Sequence, residues 1–208
     1  MADHRAVPHD AGGDGLIVTA HSPNYLPGAS VIEKIDTADF VVWLTEVQYE
    51  RGGFTNRQRM RDGSWLTVPV DHSTLGGPIG DVRIGVRPWR RKHAMTLRQH
   101  YGEAAELFVE ILQQPWRYLA DLNLTLLALL TDRDRWFFQR DLDVQDDAPA
   151  SKRLARIVQA VGGTTYLSGS SGRQYLDERP FLERGIEVVY REPLVENPCC
   201  LERLAVPC

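Results

Sequence analysis

At 208 residues, with 43% apolar and 25% charged side chains, the chain is long enough to bury a core without disulfides or metal staples. A formal net charge of −4 without any basic run excludes a dedicated nucleic-acid binder. No apolar stretch approaches a membrane span and no signal-peptide core opens the chain, so a cytoplasmic protein without membrane contact is expected. The three cysteines, Cys199, Cys200 and Cys208, lie in the last ten residues without zinc-like spacing and are read as reduced. Three lysines against 21 arginines are the bias of a GC-rich genome.

Residues 1–14 are polar and aperiodic, which predicts a flexible leader. Residues 15–208 are expected to form a single α/β domain. Its expected fold is a mixed or mainly parallel sheet flanked by helices, with a polar site at the carboxyl ends of the strands. Leu16-Ile17-Val18-Thr19-Ala20 reads as a buried strand that turns polar at His21, in a loop stiffened by Pro23 and Pro27. Such a histidine either carries chemistry or caps a neighbouring backbone group. Ser30 is placed to cap a helix through Val31-Ile32-Glu33-Lys34-Ile35. Residues 40–44 form a continuous apolar run, a central strand, and Thr45, Glu46 and Gln48 follow at its end, toward the crevice of His21. After a glycine turn over 51–54, Asn56-Arg57-Gln58-Arg59 returns as an extended segment whose two arginines share a face. That fork suits a carboxylate, phosphate or enolate oxygen, or else pairs with Glu46 or Glu50.

Residues 65–70, after the Asp62-Gly63 turn signal, and the alternating residues 82–86 read as strands, with His72 in a solvent-facing loop. Pro88-Trp89 opens a helix that reaches His100. A second helix over 103–112 is predicted to bury Leu107, Ile111 and Leu112, and a third over 121–130 to bury Leu122, Leu126, Leu129 and Leu130. A short strand at 136–138 and a solvated acidic loop at 141–148 follow. Ser151 is placed to cap an amphipathic helix stopped by Gly162-Gly163. The strand at 164–167 runs into Ser168-Gly169-Ser170-Ser171-Gly172-Arg173, whose amides either form an anion nest or merely turn the chain. Residues 185–190 form the last strand, and a short helix around Leu201 and Leu204 closes the chain.

The blocks His21-Ser22-Pro23-Asn24-Tyr25-Leu26-Pro27, Lys34, residues 38–49, Asn56 to Arg59, residues 65–70, Trp89, His100-Tyr101, Tyr166-Leu167-Ser168-Gly169 and Tyr175-Leu176-Asp177 occur in an order that resembles the WbqC-like family. These are bacterial proteins of surface-glycan and natural-product gene clusters, and the resemblance runs from Leu16 to Tyr190. This chain departs from the family pattern in having Thr45-Glu46 where two acidic residues are usual. It also departs beyond Tyr190, where the family's tail usually carries an aromatic, glutamine-containing segment.

No cofactor fingerprint, Walker loop, zinc spacing or nucleophile elbow occurs, so neither cofactor nor metal is expected. His21, Asn24, Tyr25, Glu46, Gln48, Asn56, Arg57 and Arg59 gather near strand ends, an inventory for acid–base catalysis with oxyanion stabilisation. The resemblance implies a natural-product tailoring enzyme that cyclises a polyketide-type β-dicarbonyl chain to a pyrone or lactone. In that reading His21 removes the enol proton, Glu46 orients it, Arg57 holds the enolate, and Gln48 or Asn56 donates to the oxyanion. The alternative is an acyl- or aminoacyl-transferase to a nucleotide-linked amino sugar, with Arg57, Arg59 and the loop from Ser168 and Gly169 onward holding the diphosphate. A binding protein without catalysis is the third reading. The expected partner of either enzyme is a small-molecule or carrier-linked acyl substrate, and the oligomeric state is left open. The arrangement predicts His21 and Glu46 within hydrogen-bond reach or one water apart.

Overall fold

Strand β1 (Ile17–His21) is paired on both edges, and the rest of the sheet is laid out from it. The computed structural model describes residues 15–144, 148–193 and 199–203. The expected leader, the centre of the acidic loop, Leu204 of the expected closing helix and Cys208 lie outside them. On one side β1 pairs in parallel with β2 (Phe40–Trp43), which pairs in turn with β5 (Trp136–Phe138). On the other side it pairs with β6 (Thr165–Gly169), which pairs with β7 (Glu187–Arg191). The order β5-β2-β1-β6-β7 is wholly parallel, the mainly parallel α/β architecture expected. Between β2 and β5 the chain makes a small antiparallel hairpin of β3 (Arg57–Arg59) and β4 (Trp65–Thr67), turning at Gly63 with φ 83°.

Side-chain alternation along the strands divides the core into two layers. Val41 and Trp43 face α1 (Ala29–Thr37), α2 (Arg90–Tyr101), α3 (Glu106–Gln113) and α4 (Leu119–Leu127). Val42, Val18 and Ala20 face the opposite layer with Ala155, Ile157, Val158 and Val161 from α5 (Ala150–Ala160) and its end. Phe181 of α6 (Arg179–Leu182) joins that second layer and stacks on Tyr166 at 5.1 Å. Trp43 meets Trp136 edge to face at 5.2 Å, tying β2 to β5 beneath the helical layer.

Several expectations are corrected. Residues 82–86 form no strand; they make isolated bridges at Ile84 with Val70 and at Arg83 with Tyr118, because Val82 and Leu119 are joined by backbone hydrogen bonding instead. Leu107 is 62% exposed because only one face of α3 meets the core, and Leu129 is 39% exposed because α4 ends at Leu127 and leaves it in the turn beyond. Gly28, not Ser30, is the residue before α1, and Pro149, not Ser151, precedes α5; the Ser151 hydroxyl accepts the Asp177 amide. The tail winds into a 3₁₀ turn, Cys200–Arg203, and Cys199 and Cys200 are buried as thiols. Among the described residues no helix is long and apolar enough to cross a membrane.

Gly163 sits where α5 passes over β1. A Cβ there would lie 2.5 Å from Val18 Cγ2 and 2.7 Å from Val158 Cγ1. Gly163→Ala is therefore expected to destabilise the fold by roughly 1–3 kcal/mol, read as a lower urea midpoint at unchanged slope.

Candidate functional site

The strand order reverses between β1 and β6, and a cavity of about 720 Å³ opens at their carboxyl ends. Crossovers that leave on opposite faces cannot fill the space between them, so open α/β sheets bind ligands there. One wall carries His21, Ser22 and Asn24 from the end of β1, and Ser30, Val31 and Lys34 from α1. The other carries Ser168, Gly169, Ser170 and Ser171 from β6 and its loop, with Tyr175 and Arg191. Gln48, Glu50 and Phe54 border it from the segment after β2.

His21 is half-buried, and its carbonyl accepts the Leu44 amide at 3.0 Å, continuing the ladder to β2. Nδ1 lies 2.7 Å from the Ser22 carbonyl. A carbonyl can only accept, so this contact assigns the proton to Nδ1 and leaves Nε2 as the basic nitrogen. Nε2 has no hydrogen-bond partner among the described residues. Burial first, and the Lys34 charge second, lower the imidazole to about pKa 3, against a smaller upward effect of the Ser22 contact. The ring is neutral at physiological pH.

The loop from Ser22 to Gly28 is held from three sides. The buried Asn123 amide donates to the carbonyls of Pro23 and Thr55, each at 2.7 Å, joining the loop to the segment that carries Phe54. The Tyr25 amide donates to Phe54 O at 3.2 Å, and the Tyr25 hydroxyl meets His93 Nδ1 at 2.9 Å. Cys200 donates its amide to Pro27 O at 2.8 Å. These contacts hold buried Leu26 at φ 45°, a conformation that non-glycine residues seldom adopt. Across the cavity, Ser168 is buried and its hydroxyl donates to Gly169 O at 3.1 Å. A Cβ on Gly172 would come within 2.2 Å of that hydroxyl, so glycine is required for the loop to close over Ser168.

The residues singled out in the sequence divide into two groups. His21, Asn24, Gln48, Ser168 and Gly169 share the cavity wall. Tyr25, Glu46, Asn56, Arg57 and Arg59 do not line it. Tyr25 is a core residue with no exposure. Asn56 is buried and donates to Val68 O at 2.9 Å, bracing the hairpin. Arg57 and Arg59 share a strand face, but not one that borders His21. The Arg57 guanidinium donates to the carbonyls of Gly52 and Gly53 and lies 4.5 Å over the Trp65 ring. Arg59 is exposed. No hydrogen bond joins Glu46 to His21: the carboxylate accepts from Thr45 Oγ1 at 3.0 Å and lies against Gly80. The amides of Gly80 and Ile79 bind the carbonyls of Thr45 and Val47, which fixes this turn; Val47, Gln48 and Ile79 border the cavity while Glu46 does not.

Lys34 is the residue the inventory lacked. It is only 8% exposed, lines the cavity one turn after Ser30, and burial lowers its ammonium to about pKa 8. Its signal in the sequence is a lysine between Ile32 and Ile35, both core residues of a short apolar helix. Among the described residues no group of histidines, cysteines and carboxylates is arranged to hold a metal.

The model of the WbqC-like protein family matches residues 22–198, nearly the whole described chain. A Mycobacterium tuberculosis protein, uncharacterized protein Rv1507c, is 30% identical over 183 residues, covering 80% of this chain and 78% of that one. No solved structure matches.

The imidazole assignment predicts an acid-side signature. An unfolded histidine titrates near 6.5 and His21 near 3, so over that window the unfolded chain binds more protons and stability falls as pH drops. His93, lowered to about 4 mainly by burial, adds the same slope. Urea unfolding at about pH 7 and about pH 4 should show a smaller loss for His21→Asn than for the wild type. An unchanged loss would contradict a neutral, buried His21.

Proposed function

The chain belongs to the WbqC-like protein family, and we propose that it is an acid–base catalyst of acyl transfer to an amine, without a cofactor or a covalent enzyme intermediate. The observation that carries this reading is the His21 imidazole. With Nδ1 engaged by the Ser22 carbonyl, its one basic nitrogen is the unpartnered Nε2, on the wall of a polar cavity. As the amine adds to the donor carbonyl, Nε2 takes the proton from nitrogen. The Asn24 amide, on the same wall, donates to the developing oxyanion. The imidazolium then returns the proton to the departing heteroatom, and the acyl group ends on nitrogen.

An amino sugar is the acceptor we favour. The exposed rings of Phe54 and Tyr175 and the hydroxyls of Ser170 and Ser171 border the cavity, a mixture suited to an amphipathic ring. Cyclisation of a β-dicarbonyl chain receives less support, because its enolate clamp was Arg57, and that guanidinium is occupied by the turn at Gly52 and Gly53. Transfer also loses Arg57 and Arg59 as contacts but keeps the loop after β6.

The test is acceptor-dependent thiol release from acyl thioesters, screened against amino sugars. His21→Gln should lose about 10²-fold or more in kcat/KM while keeping its unfolding midpoint. Glu46→Gln should turn over like the wild type. Full activity in His21→Gln would show that the imidazole moves no proton in the reaction and overturn the mechanism.

A further inference from the structure

Proton transfer at His21 gives no role to the Lys34 ammonium on the same cavity wall. Lys34 is more than nine-tenths buried, yet it touches the cavity and has no counter-ion among the described residues. Of the two carboxylates that border the cavity, Glu192 pairs with Arg173 at 3.6 Å, and Glu50 makes no ion pair with Lys34. We propose that Lys34, together with the first turn of α1, anchors an oxyanion carried by the substrate, either a phosphate or a carboxylate.

Two further features support an anion at this place. First, α1 starts on the same wall with Gly28 before it, no side-chain cap and no acidic residue in its first turn. The positive end of its dipole is therefore not neutralised by the chain itself. Helical side chains lean toward the helix start, so Lys34 reaches back along the Ser30 and Val31 side toward that end. Second, a buried ammonium without a partner costs stability. A ligand that supplies the missing charge converts that cost into affinity. It also offsets the repulsion by which Lys34 suppresses protonation of His21, so the base strengthens only when substrate is bound. The inference rests on the proposed function in taking this cavity as the substrate site, and it adds the charge that the substrate carries.

Binding alone tests it, separately from turnover. Thermal unfolding of the wild type, Lys34→Met, Lys34→Arg and Arg59→Ala is followed with inorganic phosphate, pyrophosphate and malonate, at ionic strength matched with chloride. The wild type and Arg59→Ala should gain about 5–10 °C at a concentration near 100 times Kd. Lys34→Met should show no gain, while its ligand-free Tm is equal to or above that of the wild type. Lys34→Arg should keep part of the response. Selective gain with the phosphates assigns a phosphate group, and selective gain with malonate a carboxylate. Wild-type affinity for the responding anion should fall about tenfold or more between about pH 7 and about pH 9.5, as Lys34 loses its proton. An equal response in Lys34→Met, no wild-type response beyond the chloride control, or affinity independent of pH would each overturn the proposal. Loss of thioester turnover in His21→Gln with anion binding intact would leave it standing.

Discussion

The double pairing of β1 is the constraint on which the rest of the molecule depends. A strand with neighbours on both edges and helices over both faces must be apolar throughout, and Val18, Thr19 and Ala20 are buried. Thr19 fits only because its hydroxyl donates to Leu167 O at 2.9 Å. The chain can become polar only where the strand ends, and it does so at His21. The crossover through α1 departs to one face and that through α5 lies on the other, so the reversal falls between β1 and β6. The cavity is a consequence of that topology rather than of any one residue.

Burial then gives the cavity its electrostatic character. The same exclusion of water that keeps His21 neutral makes the ammonium of Lys34 easier to deprotonate, and while Lys34 is charged it further disfavours the imidazolium. A carboxylate beside His21 would have reversed this by stabilising the imidazolium. The structure instead sets the Glu46 carboxylate against Thr45 and Gly80. His21 is thus oriented by a backbone carbonyl, which fixes the tautomer and raises the basicity only slightly against the effect of burial. Around it, Asn123 and the buried tail segment hold the proline loop in place, including Leu26 in its uncommon conformation.

Local pattern made most of the scaffold legible. The apolar run at Phe40 to Trp43, the amphipathic α5 and the Asp62-Gly63 turn announce themselves through period and turn chemistry. Misreadings arose where short elements share one pattern with irregular chain. Residues 82–86 alternate as a strand does, but their hydrogen bonds go to the segments at Pro69 and Arg117, so they bridge without forming a ladder. Arg57 and Arg59 alternate along β3 and share one face of it. Which face meets the cavity is not encoded in their spacing, and the carbonyls of Gly52 and Gly53 take the guanidinium of Arg57. Tyr25 and Asn56 carry polar groups that look functional in a list, yet they satisfy buried partners.

By itself the sequence determined the α/β class, the family, and the point at the end of the first strand where buried chain turns polar. Those features follow from local hydrophobic period and from blocks of residues in order, which need no third dimension. Tertiary structure alone decided which polar side chains meet. It brought Ser168 and Gly169 across to His21 and Asn24, more than 140 positions away in sequence, and left Glu46 off the cavity wall with its carboxylate on Thr45. It also made Lys34 a cavity residue, because a lysine on a short helix is ordinary until the strand beside it and the loop opposite exclude water from its ammonium.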